Sequence, residues 1–153
     1  MKNVEDMYPL SPMQQGMLFH TLYGPTTGVY LEQFNCILNG DLDVVNFKRA
    51  WNELAQRHQV LRSAFLWKGL DEPLQVVREQ VCLPWHEEDW SGTSALEQSA
   101  RLKTYLHNDR KRGFESTKAP LIRVAVIRLA DDAHQFVLSF DHLLLDGWSL
   151  SIE

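Results

Sequence analysis

The chain has 153 residues, 44% of them hydrophobic and 23% charged, and carries a formal net charge of −5. That length sustains one domain with a core of its own. The acidic balance argues against nucleic acid and an anionic membrane surface, because both reward a basic face. No apolar run is long enough to span a membrane and the opening MKNVED is not a secretory signal, so the expected location is the cytoplasm. Cys36 and Cys82 lack metal-type spacing and lie in apolar segments, which predicts buried free thiols.

The first clear element is a helix. Ser11 caps it, Pro12 fits its first position, and Gln14 completes a capping box. Met13, Met17, Leu18 and Leu22 are expected on its inner face, with Gly24-Pro25 as the stop and His20 at the surface. Residues 30–38 read as a strand ending at an Asn39-Gly40 turn. Asp43 then caps a helix to about residue 56, whose Phe47, Trp51 and Leu54 are spaced to face a core. Residues 63–67 and 74–77 read as strands around a turn at 69–73. Arg62, among apolar neighbours, is either a solvated cation or a buried one that needs a carboxylate. Residues 83–90 are polar and broken by Pro84, so they read as a strand end plus loop. Within them His86 beside Glu87 and Glu88 has no second histidine nearby, and no metal site is expected.

Ser94 and Glu97 form a further capping box, opening a helix to about residue 112 with Leu102, Tyr105 and Leu106 inside, His107 outside and Gly113 after the end. The apolar run at 121–129, interrupted by Arg123 and Arg128, suits a central strand. After an Asp131-Asp132 turn, residues 134–140 form the second arm of a hairpin, with Phe136, Leu138 and Phe140 on one face. Residues 149–153 look like the start of a helix.

That hairpin leads straight to His142, with Asp146 and Gly147 four and five residues on. A histidine at a strand end can relay a proton near neutral pH, and a glycine there permits a tight turn with backbone amides near a ligand. The three leucines between imply that the loop is packed into protein, so Asp146 should have a partner. The spacing alone is equally compatible with a core histidine beside a strand–helix turn.

Three motifs together carry a resemblance. Residues 11–20 (SPMQQGMLFH) look like the opening motif of nonribosomal peptide synthetase condensation domains. Arg57, His58, Leu61, Arg62, Ser63 and Phe65 resemble their RHxxLRTxF motif, with Ser63 for threonine. Residues 141–147 (DHLLLDG) resemble their third motif, HHxxxDG, and within it residues 142–147 resemble the HxxxDG motif of the wider chloramphenicol-acetyltransferase-like acyltransferases. Three motifs in one order are far more specific than any one. The resemblance implies an α+β, chloramphenicol-acetyltransferase-like sandwich: a mixed β-sheet with helices packed on it, one lobe of a two-lobed domain. Residues 1–153 would be the N-terminal lobe, with the C-terminal lobe absent.

The implied reaction is peptide-bond formation between a donor aminoacyl or peptidyl thioester and an acceptor amine, both borne on the phosphopantetheine arms of carrier proteins. His142 and Gly147 would be the catalytic groups, and Asp146, Arg62 and Asp141 structural parts of the site. Trp148 and Ser149 would be channel candidates. No cofactor or metal is expected in the lobe itself; the partners would be two carrier proteins and the second lobe, with self-association possible through the exposed lobe interface. Asp141 departs from the motif's first histidine. Together with Asp146 and Ser149 it satisfies the DxxxxDxxS signature of heterocyclization domains, which lack the second histidine; the retained His142 and the opening motif favour simple condensation. A non-catalytic docking module and a free-thioester acyltransferase are the other readings.

Overall fold

A computed structural model describes residues 3–23 and 31–145. Its helices are α1 (Pro12–Tyr23), α2 (Val44–Arg57) and α3 (Ala95–Arg112). Its strands are β1 (Asp6–Pro9), β2 (Leu31–Asn39), β3 (Ser63–Leu66), β4 (Leu74–Val77), β5 (Trp85–Asp89), β6 (Ile122–Ala130) and β7 (Ala133–Asp141). A 3-10 turn, Gln59–Arg62, leads into β3.

Strands β2, β7, β6 and β5 form a mixed sheet in that order, with β5 and β6 parallel and the other pairs antiparallel. A smaller antiparallel sheet runs β1, β4, β3. The tight turn at residues 131–132 makes β6 and β7 a hairpin, and β2 pairs along all of β7, from Leu31 opposite Asp141 to Asn39 opposite Ala133. Central strands bury both faces, which explains the near-continuous apolar run of β6.

The helix ends follow their caps. The Gln14 amide N–H donates to Ser11 Oγ at 3.2 Å and the Ser11 N–H to Gln14 Oε1 at 3.0 Å, both halves of the capping box. Asp43 Oδ1 accepts from the Asn46 N–H at 2.9 Å. Ser94 Oγ accepts from the Glu97 N–H, while the Glu97 carboxylate turns outward to Arg101. Gly113 closes α3 with φ of 59°, a left-handed conformation that glycine adopts without strain.

One face of the large sheet presents Phe136, Leu138, Phe140, Val124 and Val126, and α2 joins the same core. The rings of Phe47 and Trp51 each lie 5.7 Å from that of Phe136. Phe140 is fully buried, and truncating such a ring to alanine costs about 3–5 kcal/mol. Across the opposite face α3 is tied down by side chains: Gln98 Nε2 donates to the Leu129 carbonyl at 3.0 Å, and Gln33 Nε2 to that of Leu106 at 3.1 Å.

Several expectations need correction. Residues 85–89 are a full strand rather than a strand end plus loop: an edge position leaves one side to solvent and so tolerates the run His86–Glu87–Glu88–Asp89. On that strand His86 and Glu88, two apart, share a side and meet at 2.7 Å, and the imidazole stacks on Tyr105. Met13 is 74% exposed and Leu22 is also exposed; α1 buries Leu18 and half-buries Met17, a narrower stripe than the spacing suggested. In α2 the fully buried position is Ala55, with Leu54 at the margin. Cys36 is half-buried and Cys82 exposed, because Leu83 takes the core position beside it.

Candidate active site

Strand β7 ends at Asp141, and the backbone turns over residues 142–144. Asp141 builds that turn. Its N–H donates to the Leu121 carbonyl at 3.0 Å, its carbonyl accepts from the Leu144 N–H at 2.9 Å, and its Oδ1 accepts from the Leu143 N–H at 3.0 Å. Burial pushes the Asp141 carboxyl up from the ordinary aspartate range, against hydrogen bonds from Leu143 and Ser116 and the nearby His142 charge. Leu143 and Leu144 are buried in the core cluster and Leu145 packs against it, so the loop is seated in protein as the leucine run implies.

His142 is half-buried, with Nδ1 3.0 Å from the Leu145 carbonyl. A carbonyl oxygen only accepts, so Nδ1 carries the proton and donates it. In the neutral ring that leaves Nε2 with the free lone pair. No hydrogen bond among the described residues engages Nε2. The loop thus presents one imidazole in one tautomer, which is the state a general base needs.

Arg62 is buried, and its described carboxylate partner is Glu5 at 2.6 Å. The same Nη1 also donates to the carbonyls of Arg78 and Glu79, while Nε has no partner among the described residues. Of the two readings of Arg62, the solvated cation is therefore set aside and the buried one with a carboxylate is what the fold contains. The partner comes from before β1, 57 residues away in sequence, beyond the reach of any local pattern. Hydrogen bonds from Arg62 and Gln59 lower the Glu5 carboxyl below its ordinary value. Asp146, Gly147, Trp148 and Ser149 lie outside the described residues. Among the described residues no three His, Cys, Asp or Glu side chains converge as metal ligands.

Two buried polar groups escaped the sequence reading. Asp109 lies on the inner stripe of α3, one turn after Tyr105 and Leu106, a spacing that marks it in retrospect. It forms an ion pair with Arg123 of β6, accepts from Ser139 Oγ of β7 at 2.6 Å and from Gln33 Nε2 of β2 at 2.7 Å. Burial pushes its carboxyl up, but the bonds from Arg123, Ser139 and Gln33, with the Arg123 charge, outweigh this and hold it below the ordinary range. The Arg123 guanidinium also donates to the Gly113 carbonyl at 2.7 Å and lies 4.1 Å from the centre of the Phe114 ring. Gln75 of β4 is the other; its alternation with Leu74 and Val76 gave no hint of its partners. Its Nε2 donates to Tyr8 Oη at 3.0 Å and Ser63 Oγ at 2.9 Å, and its Oε1 accepts from Gln14 Nε2 at 3.0 Å.

A mixed sheet with helices on both faces, ending in a histidine loop, defines an α+β fold of the chloramphenicol-acetyltransferase-like class. Solved structures share it: the starter condensation domain of rhizomide synthetase RzmA superposes with a TM-score of 0.82 at 18% identity, over 94% of this chain and 36% of that one. The four-domain nonribosomal peptide synthetase AB3403 matches at the same TM-score and identity, over 96% of this chain and 11% of that one. The family model described as "Condensation domain" matches residues 4–152, and the chain belongs to that family.

Similar curated sequences are nonribosomal peptide synthetases. A linear gramicidin synthase of Brevibacillus parabrevis is 43% identical over 152 residues, 99% of this chain and 2% of its own length. Bacitracin synthase 3 of Bacillus licheniformis is 42% identical over 149 residues, 97% of this chain. Tyrocidine synthase 2 of Brevibacillus parabrevis is 40% identical over 151 residues, 99% of this chain. The chain spans only 2–4% of the length of these three relatives. No helix among the described residues is long and apolar enough to cross a membrane.

Proposed function

We propose that residues 1–153 are the N-terminal lobe of a condensation domain that forms peptide bonds in nonribosomal peptide synthesis. The observation that carries this reading is the His142 tautomer: Nδ1 is committed to the Leu145 carbonyl, and Nε2 is left as the base. The acceptor amine attacks the donor thioester carbonyl, a C–N bond forms and the C–S bond breaks. The proton lost by the amine passes to Nε2 and can be returned to the departing thiolate, giving amide and carrier thiol. A thioester is already activated, so holding amine and thioester together supplies much of the rate.

The phosphopantetheine arms belong to the donor and acceptor carrier proteins and enter as substrate. In this reading the Gly147 amide helps stabilise the oxyanion. Asp146 and Arg62 are structural, Asp141 shapes the turn, and Trp148 and Ser149 line the channel. The lobe alone is inactive because a second lobe completes the walls. The exposed side chains of Met13, Phe19 and Tyr23 on α1 are consistent with a surface covered in a larger assembly. They predict self-association of the isolated lobe; a clean monomer by sedimentation at high concentration would count against it.

The deciding experiment replaces His142 and Asp141 separately in the complete synthetase module that carries this lobe. His142→Ala is expected to lower amide formation by about 100-fold or more, within the range for loss of a general base, while Asp141→Asn retains most of it. Heterocyclization predicts the reverse: intact amide formation in His142→Ala and loss of cyclised product in Asp141→Ala. A non-catalytic docking module predicts carrier binding with no peptide from the parent.

A further inference from the structure

Gln75 is 5% exposed in the middle of β4, a site where an apolar side chain would meet no desolvation cost. Its amide instead donates both of its protons and accepts one bond. Its orientation is also fixed. Ser63 Oγ donates its only proton to the Gln59 carbonyl at 3.0 Å, so toward Gln75 it can only accept. The Gln75 NH2 must therefore face Ser63, and Oε1 must face Gln14.

Gln14 is locked in turn. Its Oε1 accepts from the Ser11 N–H, and its Nε2 reaches both Gln75 Oε1 and the Leu143 carbonyl, the latter at 3.4 Å. Leu143 is the residue after His142, and its N–H is already held by Asp141. Both sides of this residue's backbone are thus pinned, one from β7 and one from α1 through β4.

We propose that Gln75 is a positioning residue for the His142 loop, acting through Gln14 on the Leu143 carbonyl. It joins the capping box of α1, Ser63 of β3 and the histidine turn into one hydrogen-bonded unit. The proposal rests on the reading of His142 as the base, but its structural part stands apart from that reading. Gln75→Leu keeps the side-chain bulk and removes the relay; Gln14→Met removes the next link from a half-buried helix end.

The test uses the complete condensation domain, with hydrogen exchange of the 142–145 amides and steady-state amide formation. Each single variant should speed exchange at Leu143 and Leu144 about tenfold, leave β6 and β7 protected, and lower kcat about tenfold with KM within about twofold, as expected for a displaced catalytic group. The double variant should be no worse than either single one, because both cut the same path. Unchanged exchange in the 142–145 loop, additive losses, or a rise in KM at constant kcat would overturn the proposal. If Gln75→Leu does not fold, Gln14→Met must show both effects alone, and parental exchange in it would equally overturn it. Faster exchange with undiminished kcat, together with an active His142→Ala, would sink the catalytic reading of His142 while leaving the relay in place.

Discussion

Asp109 and Asp141 flank the same strand, β7, and are buried alike at 7% and 6% exposure, yet their carboxyls move in opposite directions. Asp109 has a guanidinium, a hydroxyl and an amide aimed at it from three different strands, and it stays ionised. Asp141 has a backbone N–H, a serine hydroxyl and a histidine, with no arginine or lysine bonded to it among the described residues, and burial prevails. Burial alone does not set the charge of a carboxyl; the number and sign of the groups that replace water do. The carboxyl that folding lowers fastens α3 to the sheet, and the one that folding raises shapes the turn that carries His142.

The largest effect should come from breaking the ion-paired one. Asp109→Ala leaves Arg123 buried without its counter-charge and should destabilise by about 3–5 kcal/mol, read from chemical denaturation. Adding Arg123→Met to Asp109→Leu should recover at least half of the loss, because no lone charge remains; a double variant as unstable as Asp109→Ala would show that the charge is not what matters. Ser139→Ala removes one bond to the Asp109 carboxylate and should cost about 1.5 kcal/mol. The smallest change is expected at the other aspartate: Asp141→Asn keeps an acceptor for the Leu143 N–H and should stabilise at neutral pH, by no more than about 1 kcal/mol.

The pH dependence separates the two further. Asp109 is lowered by folding, so its stabilisation is full above the ordinary aspartate value of 3.8 and is lost as pH falls through the lower folded value. Asp141 is raised, so the folded chain binds more protons than the unfolded one just above 3.8, and stability falls as pH rises through its raised value. Denaturation midpoints across pH 2–7 should therefore fall less steeply on the acid side in Asp109→Asn, the lowered Glu5 among others keeping part of that limb, and should decline less above 3.8 in Asp141→Asn. Superimposable profiles for the two variants would remove the distinction between the two carboxyls.

Local chemistry made much of the architecture readable. Caps at Ser11, Asp43 and Ser94 placed all three described helices, and the alternation after residue 133 placed β7 and its histidine turn. What stayed hidden depends on partners far along the chain. β5 carries four polar residues in a row and is a strand only because β6 lies beside it. Glu5 meets Arg62, Asp109 meets Arg123 and Gln14 meets Gln75 only after the sheets form, so no spacing rule could pair them. The motif residues themselves were legible; the side chains that hold them in place were not.

The antiparallel pairing of β2 with β7 sets an order of events during synthesis. Cys36 and Gln135, joined across that pair, are 99 residues apart. At about 5–20 residues per second a ribosome takes on the order of ten seconds to cover that interval. Throughout it β2 has made none of its sheet bonds, and its Phe34 and Ile37, exposed even in the finished fold, offer an apolar edge to any nascent neighbour. The strand that leads into the histidine turn is therefore also the one that satisfies the backbone of β2, so a slow or stalled β7 prolongs the life of an unpaired strand.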